Sequence, residues 1–259
     1  MKISIIGAGA MGGAVLEGLV KSGFNSADLT VADPFDKALS KAAALGVSTT
    51  IDNNAAIKDA DLIMVFVKPW LVGDVLTGIK DDIDADRQVV AVIAAGVSSE
   101  QLIDWLGSGH DMPQTALVIP NTAASTLQSM TFIAPVTAME DALKLITDTF
   151  DRVGTTLVVE ERQLAAGTTL ASCGIAYALR YIRAAVEGGV ELGFRADIAQ
   201  EIVTQTVKGA ASLLENGAHP ESEIDKVTTP GGLTIKGLNE MERAGFSAAV
   251  VRGLKAGLK

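Results

Sequence analysis

Short apolar runs alternate with amphipathic segments from the amino terminus to Glu160. The apolar runs are rich in β-branched residues and continuous, which is typical of parallel strands covered on both faces. Strand–helix alternation therefore predicts a parallel sheet between two layers of helices. The predicted strands are Lys2–Ile6, Leu29–Ala32, Leu62–Val67, Val89–Ala94, Ala116–Ile119, Thr131–Ala134 and Thr155–Val159, and the predicted helices are Met11–Ser22, Phe35–Leu45, Trp70–Ile79, Ser99–Leu106 and Ala138–Arg152.

Beyond Glu160 the pattern predicts helices only. They are Gln163–Leu192, Ile198–Glu215, Thr234–Ala244 and Ser247–Leu258, and the first carries a stripe of small residues. About 100 residues of helix with little aromatic mass make a thin core, so we expect this half to pack against a second copy in a homodimer. The alternative is an independent helical bundle. The division predicts domains at residues 1–159 and 160–259.

Composition narrows the class of protein. The 259 residues are 48% hydrophobic and 20% charged, with a net charge of −10, one cysteine and two histidines. The acidic balance disfavours nucleic acid and anionic membranes as partners. The Cys and His counts argue against a disulfide framework and a Cys- or His-rich metal site. The apolar runs are shorter than the roughly 20 residues that span a bilayer, and no signal peptide precedes the first glycines, so we expect a cytoplasmic protein.

The first predicted strand leads into a glycine-rich turn, Gly7-Ala8-Gly9-Ala10-Met11-Gly12, followed by a helix. This G-x-G-x-x-G pattern, in this context, is typical of dinucleotide binding. Gly7 permits the tight turn, Gly9 allows a pyrophosphate to approach the backbone, and Gly12 allows the helix to pack on the sheet. The positive end of the helix would face the phosphates.

An acidic residue, Asp33, ends the second strand about 20 residues after Gly12, where such folds bind the adenosine ribose. A carboxylate there would repel a 2′-phosphate, which favours NADH over NADPH. Asp33-Pro34 is also a common way to start a turn, and Lys37 and Lys41 follow closely enough to reach a phosphate. The sequence therefore predicts a nicotinamide cofactor with a lean to NADH.

A second region of interest is Ile224–Ile235, a hydroxyl- and glycine-rich loop that leads into a helix. Several N–H groups at a helix amino terminus can converge on one carboxylate. The alternative is an ordinary helix cap made by Thr229 or Thr234. Spacing alone does not decide between these interpretations.

The segment Asp225–Ile235, with Lys236-Gly237-Leu238 and Glu242 after it, resembles the signature of the 1-pyrroline-5-carboxylate reductase family. The similarity covers essentially the whole chain. Four further motifs occur in the family's order: Val67-Lys68-Pro69, Ala94-Ala95-Gly96-Val97, Pro120-Asn121-Thr122 and Ser172–Tyr177.

The resemblance implies an α/β amino-terminal Rossmann-type doubly wound sheet followed by an all-α carboxy-terminal dimerisation domain, assembled as a homodimer or a larger ring of dimers. It implies an oxidoreductase of proline biosynthesis that reduces 1-pyrroline-5-carboxylate to L-proline with hydride from NADPH or NADH. Thr229, Gly231, Gly232, Leu233 and Thr234 would bind the substrate, with Thr234 as the catalytic residue beside the ring nitrogen. The implied cofactor-binding residues outside the glycine turn and Asp33 are Asn53, Val67, Lys68, Pro69, Ala94, Ala95 and Gly96.

The chain departs from the family's usual residues at Ala10, Asp33, Ala123, Cys173 and Ile175. Two alternatives stay open. A β-hydroxyacid dehydrogenase or related imine reductase would need a lysine after Gly174, and none occurs through Leu192. A catalytically inactive nucleotide-binding protein is the other.

A protonated cyclic imine accepts hydride without a metal or a strong acid, so neither His110 nor His219, both predicted in turns, is required.

Overall fold

The computed structural model describes residues 1–109 and 112–258 and divides into two compact units, Met1–Ser172 and Cys173–Lys259. The strands are β1 Ile3–Ile6, β2 Leu29–Ala32, β3 Ser48–Thr50, β4 Leu62–Val65, β5 Val89–Val92, β6 Gln114–Ile119, β7 Ser129–Pro135 and β8 Gly154–Val158. The α-helices are α1 Ala10–Lys21, α2 Asp36–Ala43, α3 Asn53–Ile57, α4 Pro69–Ile79, α5 Ser99–Leu106, α6 Glu140–Asp151, α7 Glu161–Gly167, α8 Cys173–Glu191, α9 Ala196–Ser212, α10 Pro220–Val227, α11 Leu233–Arg243 and α12 Phe246–Ala256.

The eight strands form one sheet in the order β3-β2-β1-β4-β5-β6-β7-β8. All pairs are parallel except β6 with β7. The prediction of a wholly parallel sheet is wrong at that pair. Two consecutive strands can pair in parallel only if a crossover connection of a dozen or more residues joins them. Only residues 120–128 separate β6 from β7, and they contain a short 3₁₀ turn, Thr122–Thr126, followed by the left-handed Leu127 (φ 62°), so the chain reverses.

Helices cover both faces of this sheet, which confirms the predicted fold class. On one face, Ile3 and Ile5 pack with the apolar stripe of α1 and with α6. On the other, Ile6 and Ile63 pack with α3, α4 and α5. Strand residues alternate between the faces, so a run that is buried on both sides must be apolar throughout.

Strand order reverses beside β1, because β2 and β3 lie on one side of it and β4 to β8 on the other. In doubly wound sheets, ligands bind in the crevice at the carboxyl ends of the strands where the order reverses. The glycine-rich turn follows β1, so the fold places it at this crevice.

Helix α7 belongs to the first unit, although the predicted domain boundary lies just before it, after residue 159. Leu164 is buried in the apolar cluster of the sheet. A Cβ at Gly167 would lie 2.9 Å from the Phe132 ring, so only glycine allows α7 to lie this close to β7. A π-helical turn, Thr168–Ser172, then separates α7 from α8. The predicted helix over Gln163–Leu192 is thus helical as far as Glu191, but it contains a π-helical turn that the prediction did not include.

In its described part, the second unit consists of helices joined by turns and contains no strand, as predicted. A Cβ at Gly189 would lie 2.9 Å from the Cβ of Ala199, so glycine brings α8 and α9 together. Between residues 173 and 258, only Val186 and Ala199 are buried. Among the helices of residues 1–109 and 112–258, none combines the length and apolar character needed to cross a membrane.

Candidate functional site

The turn between β1 and α1 depends on two glycines. Gly7 has a φ of +94°, and a Cβ there would lie 2.7 Å from the carbonyl oxygen of Phe66. Its N–H donates to the carbonyl of Ala32, 2.8 Å away, which joins the turn to the end of β2. A Cβ at Gly12 would lie 2.0 Å from the carbonyl oxygen of Gly7, so α1 can start at this angle only without a side chain there.

The outer side of the same turn is open. Gly9 is the N-cap of α1, and a Cβ there would meet no atom within 4 Å. No side chain caps the helix, so the N–H groups of its first turn keep their donor capacity. An open glycine and an uncapped 12-residue helix fit a pyrophosphate, because the helix dipole favours an anion at this end.

A cavity of about 630 Å³ opens at this edge of the sheet. Eight of the predicted cofactor residues line it: Gly7, Gly9, Ala10, Met11, Asp33, Asn53, Val67 and Lys68. Ala8 lines an adjacent cleft between α1 and α2. Gly12 is buried beneath the turn, and Pro69, Ala94, Ala95 and Gly96 are not among the residues lining the cavity.

Further lining residues were not predicted. They include Pro34, Phe35, Ile51, Leu71, Ile93 and Thr122. Each stands at or just after the carboxyl end of a strand, or at the start of the helix that follows, so the position of the strand ends is the signal that could have identified them.

Asp33 is 6% exposed, and its carboxylate accepts two backbone hydrogen bonds. Oδ2 accepts from the N–H of Ala8 at 2.8 Å, and Oδ1 accepts from the N–H of Phe35 at 2.9 Å. The carboxylate thus joins the glycine turn to the start of α2. Since an ionised carboxylate has about four acceptor positions, it retains capacity for a ribose hydroxyl.

In the second unit, the predicted substrate residues form one turn that enters α11. Gly231 has a φ of +69°, and the N–H of Gly232 donates to the carbonyl of Thr229 at 2.9 Å. A Cβ at Gly232 would lie 2.5 Å from Oγ1 of Thr229, so the hydroxyl lies against the start of the helix. Leu233 and Thr234 are exposed in the first turn of α11.

The N-cap of α11 is Gly232, and no side chain caps this helix. The ordinary-cap interpretation, with Thr229 or Thr234 as the capping residue, is therefore wrong. Helix α11 begins at Leu233, one residue before the predicted start. The first-turn N–H groups and the Thr229 and Thr234 hydroxyls form one exposed donor cluster suited to a small carboxylate.

The remaining candidates for acid–base chemistry lie elsewhere. His219 caps α10, with its Nδ1 accepting from the N–H of Glu221 at 3.2 Å. His110 lies outside the described residues. In the part of the chain that the structure describes, no cluster of His, Cys, Asp or Glu could hold a metal ion.

The fold and the cavity at its strand-order reversal define a dinucleotide-binding α/β protein with a helical second unit. Residues 161–259 match the family described as pyrroline-5-carboxylate reductase dimerisation, and residues 2–96 match the family described as NADP oxidoreductase, coenzyme F420-dependent.

Full-length relatives narrow this class. A pyrroline-5-carboxylate reductase of Methanosarcina acetivorans is 36% identical over 98% of this chain and 94% of its own length. Pyrroline-5-carboxylate reductase 1 of Dictyostelium discoideum is 37% identical over 97% of this chain, which spans only 48% of that relative. A solved 1-pyrroline-5-carboxylate reductase from Streptococcus pyogenes is 30% identical with a TM-score of 0.87, covering all of this chain and 96% of the other. The chain belongs to the pyrroline-5-carboxylate reductase family.

Proposed function

We propose that this chain is an oxidoreductase that reduces 1-pyrroline-5-carboxylate to L-proline with a nicotinamide dinucleotide, as the last step of proline biosynthesis. The observation that carries the proposal is the similarity to named reductases over 94% of a relative's length. The open helix starts at Gly9 and Gly232 support it, since each suits an anion carried by one of the two reactants. A β-hydroxyacid dehydrogenase is not favoured, because α8 contains no lysine.

The residues of the first unit would hold the cofactor. The first turn of α1 binds the pyrophosphate. The same cavity is also lined by three predicted cofactor residues outside the glycine turn, Asn53, Val67 and Lys68. When bound, the reduced dinucleotide supplies the hydride. The chain's contribution is to fix the orientation of the reactants, which lowers the barrier by removing their freedom of motion in advance.

The residues of the second unit would hold the substrate. The N–H group of Leu233 and the Thr229 hydroxyl bind the substrate carboxylate. The N–H of Gly232, which was expected to join them, already donates to the carbonyl of Thr229 at 2.9 Å. Thr234 hydrogen-bonds the ring nitrogen and stabilises the amine that forms. An imine nitrogen is protonated near neutral pH in water, so this reaction needs no dedicated acid from the chain.

The cofactor preference is proposed to be NADH. A 2′-phosphate placed at the end of β2 would lie near Asp33, whose Oδ2 is 2.8 Å from the amide nitrogen of Ala8. The phosphate and the Asp33 carboxylate are both negative, and like charges that come close together repel each other strongly in a partly buried site. Lys37 and Lys41 line the neighbouring cleft and would reduce this repulsion without removing it.

The second unit is proposed to form a homodimer, which larger rings would extend. With Val186 and Ala199 as its only buried residues over 173–258, this unit has little core of its own. An apolar groove between α8 and α12, lined by Tyr181, Phe246 and Val250, is exposed. Burying such a surface against a second copy would supply the core that the single chain lacks.

The substitution Thr234→Ala tests the proposed function. We expect kcat/KM for 1-pyrroline-5-carboxylate to fall by about tenfold, because that factor corresponds to the free energy of one hydrogen bond to a charged group. The Kd for NADH should stay unchanged. Thr228→Ala is the matched control, because the Thr228 hydroxyl is directed to the carbonyl of Asp225. Full activity of Thr234→Ala would remove Thr234 from the mechanism. A parent protein that binds NADH but never oxidises it with this substrate would refute the function.

A further inference from the structure

Phe35 is an exposed aromatic residue in a protein with few aromatic residues. Its exposed fraction is 72%, while only 4% of the chain is aromatic. The residue lines the cavity at the glycine turn and also the adjacent cleft between α1 and α2, so it stands between the two. A large apolar side chain in this position gains little from the fold itself, since most of its surface stays in water.

The backbone of Phe35 is nevertheless held on both sides. Its N–H donates to Oδ1 of Asp33 at 2.9 Å. Its carbonyl accepts from the N–H of Ala38 at 2.9 Å and of Leu39 at 3.2 Å, at the start of α2. The ring is therefore carried by a fixed backbone at the rim of the cavity, which lowers the entropy cost of using it as a binding surface.

The position of Phe35 fits one half of a dinucleotide. The residue lies two positions after Asp33 at the end of β2, on the opposite side of β1 from β4. When a pyrophosphate lies on the first turn of α1, the adenosine half extends over the β2 side and the nicotinamide half over the β4 side. Lys68 and Val67 follow β4, so they lie on the nicotinamide side.

We propose that Phe35 is the surface on which the adenine ring of the cofactor stacks. The proposal rests on the proposed function only as far as dinucleotide binding. An aromatic face favours a flat heteroaromatic ring, because every base has a π-face that can stack on it. Ile51, 73% exposed, and Pro34 line the same cavity and extend the apolar surface around the base.

The test measures binding of NADH and of ADP-ribose, which keeps the adenosine half and lacks nicotinamide. Replacing an aromatic residue that stacks on a base by alanine costs about 1–3 kcal/mol, so Phe35→Ala should weaken both ligands by the same factor, roughly 5- to 150-fold. Phe35→Tyr should retain most of the affinity. Melting temperature should not move, because the side chain is exposed.

Three results would overturn the proposal: unchanged affinity for both ligands, a loss confined to NADH, or a change of oligomeric mass in Phe35→Ala, which would assign the ring to a contact between copies. Oxidation of NADH by the parent protein is measured separately, so that failure of the proposed function can be told apart from failure of the stacking proposal. If the parent binds both ligands but 1-pyrroline-5-carboxylate does not oxidise NADH, the function fails while the binding data still decide the role of Phe35.

Discussion

Replacing Gly12 by alanine should damage the fold at the glycine turn. The added Cβ would lie 2.0 Å from the carbonyl oxygen of Gly7 and 3.1 Å from the Cβ of Phe66. The first distance is well over an ångström short of ordinary van der Waals contact, and the atom it meets is backbone. Neither atom belongs to a flexible side-chain end, so relief requires α1 to move away from the sheet.

The expected loss in the free energy of unfolding follows from the side chains that α1 buries against the sheet. Val15, Leu16 and Leu19 of this helix are at most 2% exposed and pack on Ile3 and Ile5. Overpacking a well-filled core costs about 1–3 kcal/mol and occasionally more, and a backbone collision belongs at the upper end of that range. In a protein of this size about 1 kcal/mol lowers Tm by roughly 2–4 °C, so Gly12→Ala should melt roughly 6–12 °C below the parent.

Thermal unfolding followed by circular dichroism, with urea unfolding as a second measure, checks this magnitude. Gly13→Ala is the matched control in the same helix turn, because its Cβ would make only a 3.5 Å contact with the carbonyl of Ala8. Alanine is about 1 kcal/mol better than glycine inside a helix, so this variant should melt at or above the parent temperature. A Gly12→Ala protein that melts within 2 °C of Gly13→Ala would refute the argument from close packing.

Three further changes have distinct outcomes. Gly9→Ala should leave Tm unchanged, because nothing lies within 4 Å of the new Cβ. It should raise the Kd for NADH by about tenfold or more, because the new methyl group obstructs the pyrophosphate; an unchanged Kd in a binding titration would contradict this. Ser4→Ala should raise Tm by roughly 2–4 °C, because the buried Ser4 hydroxyl finds no hydrogen-bond partner in the described structure; a lower Tm would be the contrary result. Asp33→Asn should raise the kcat/KM ratio of NADPH to NADH by about tenfold, since a carboxylate charge is removed; a constant ratio would show that Asp33 does not select the cofactor.

The buried strands and the glycine turn could be predicted because each depends on local sequence. A run such as Leu62–Val65 is fully buried and has no polar residue to place at a surface. Gly7 and Gly12 are fixed by contacts with Phe66 and with each other, and the short spacing of the motif already encodes these contacts.

The elements that were missed depend on partners distant in the sequence. Strand β3, Ser48–Thr50, is three polar residues long, and its pairing with β2 defines it. Helix α10 overlaps the segment Ile224–Ile235, which is predicted as a loop. Four of its eight residues are charged and none is buried, so its sequence carries little apolar pattern. The π-helical turn before α8 leaves Ser172 donating to the carbonyl of Pro120 at 2.8 Å, a contact that no helical periodicity predicts.

In the candidate site, the glycine turn and Asp33 could be predicted from the sequence, whereas several of the side chains around them could not. Asp33 was expected to face a ribose, and its contacts with the N–H groups of Ala8 and Phe35 depend on how two turns meet. The exposure of Phe35 and Ile51 likewise follows from the position of α2 and β3 at the edge of the cavity. Such residues read as ordinary apolar positions until the sheet order is known.

The two proposed ligand sites share one feature, an extended glycine as the N-cap of a helix that has no side-chain cap. Helices α2, α4, α6, α9 and α12 also lack a side-chain cap, but none of them starts at an extended glycine. Asp52 and Ser98 cap α3 and α5 with their side chains, which is worth about 1 kcal/mol per helix. Helices α1 and α11 start instead at extended glycines without a side-chain cap, Gly9 with φ −66° and Gly232 with φ −67°. That stabilisation is forgone at both starts, so their N–H groups remain free for an anion. A pyrophosphate at one and a carboxylate at the other would complete both helices, which links binding of each reactant to the stability of the helix that holds it.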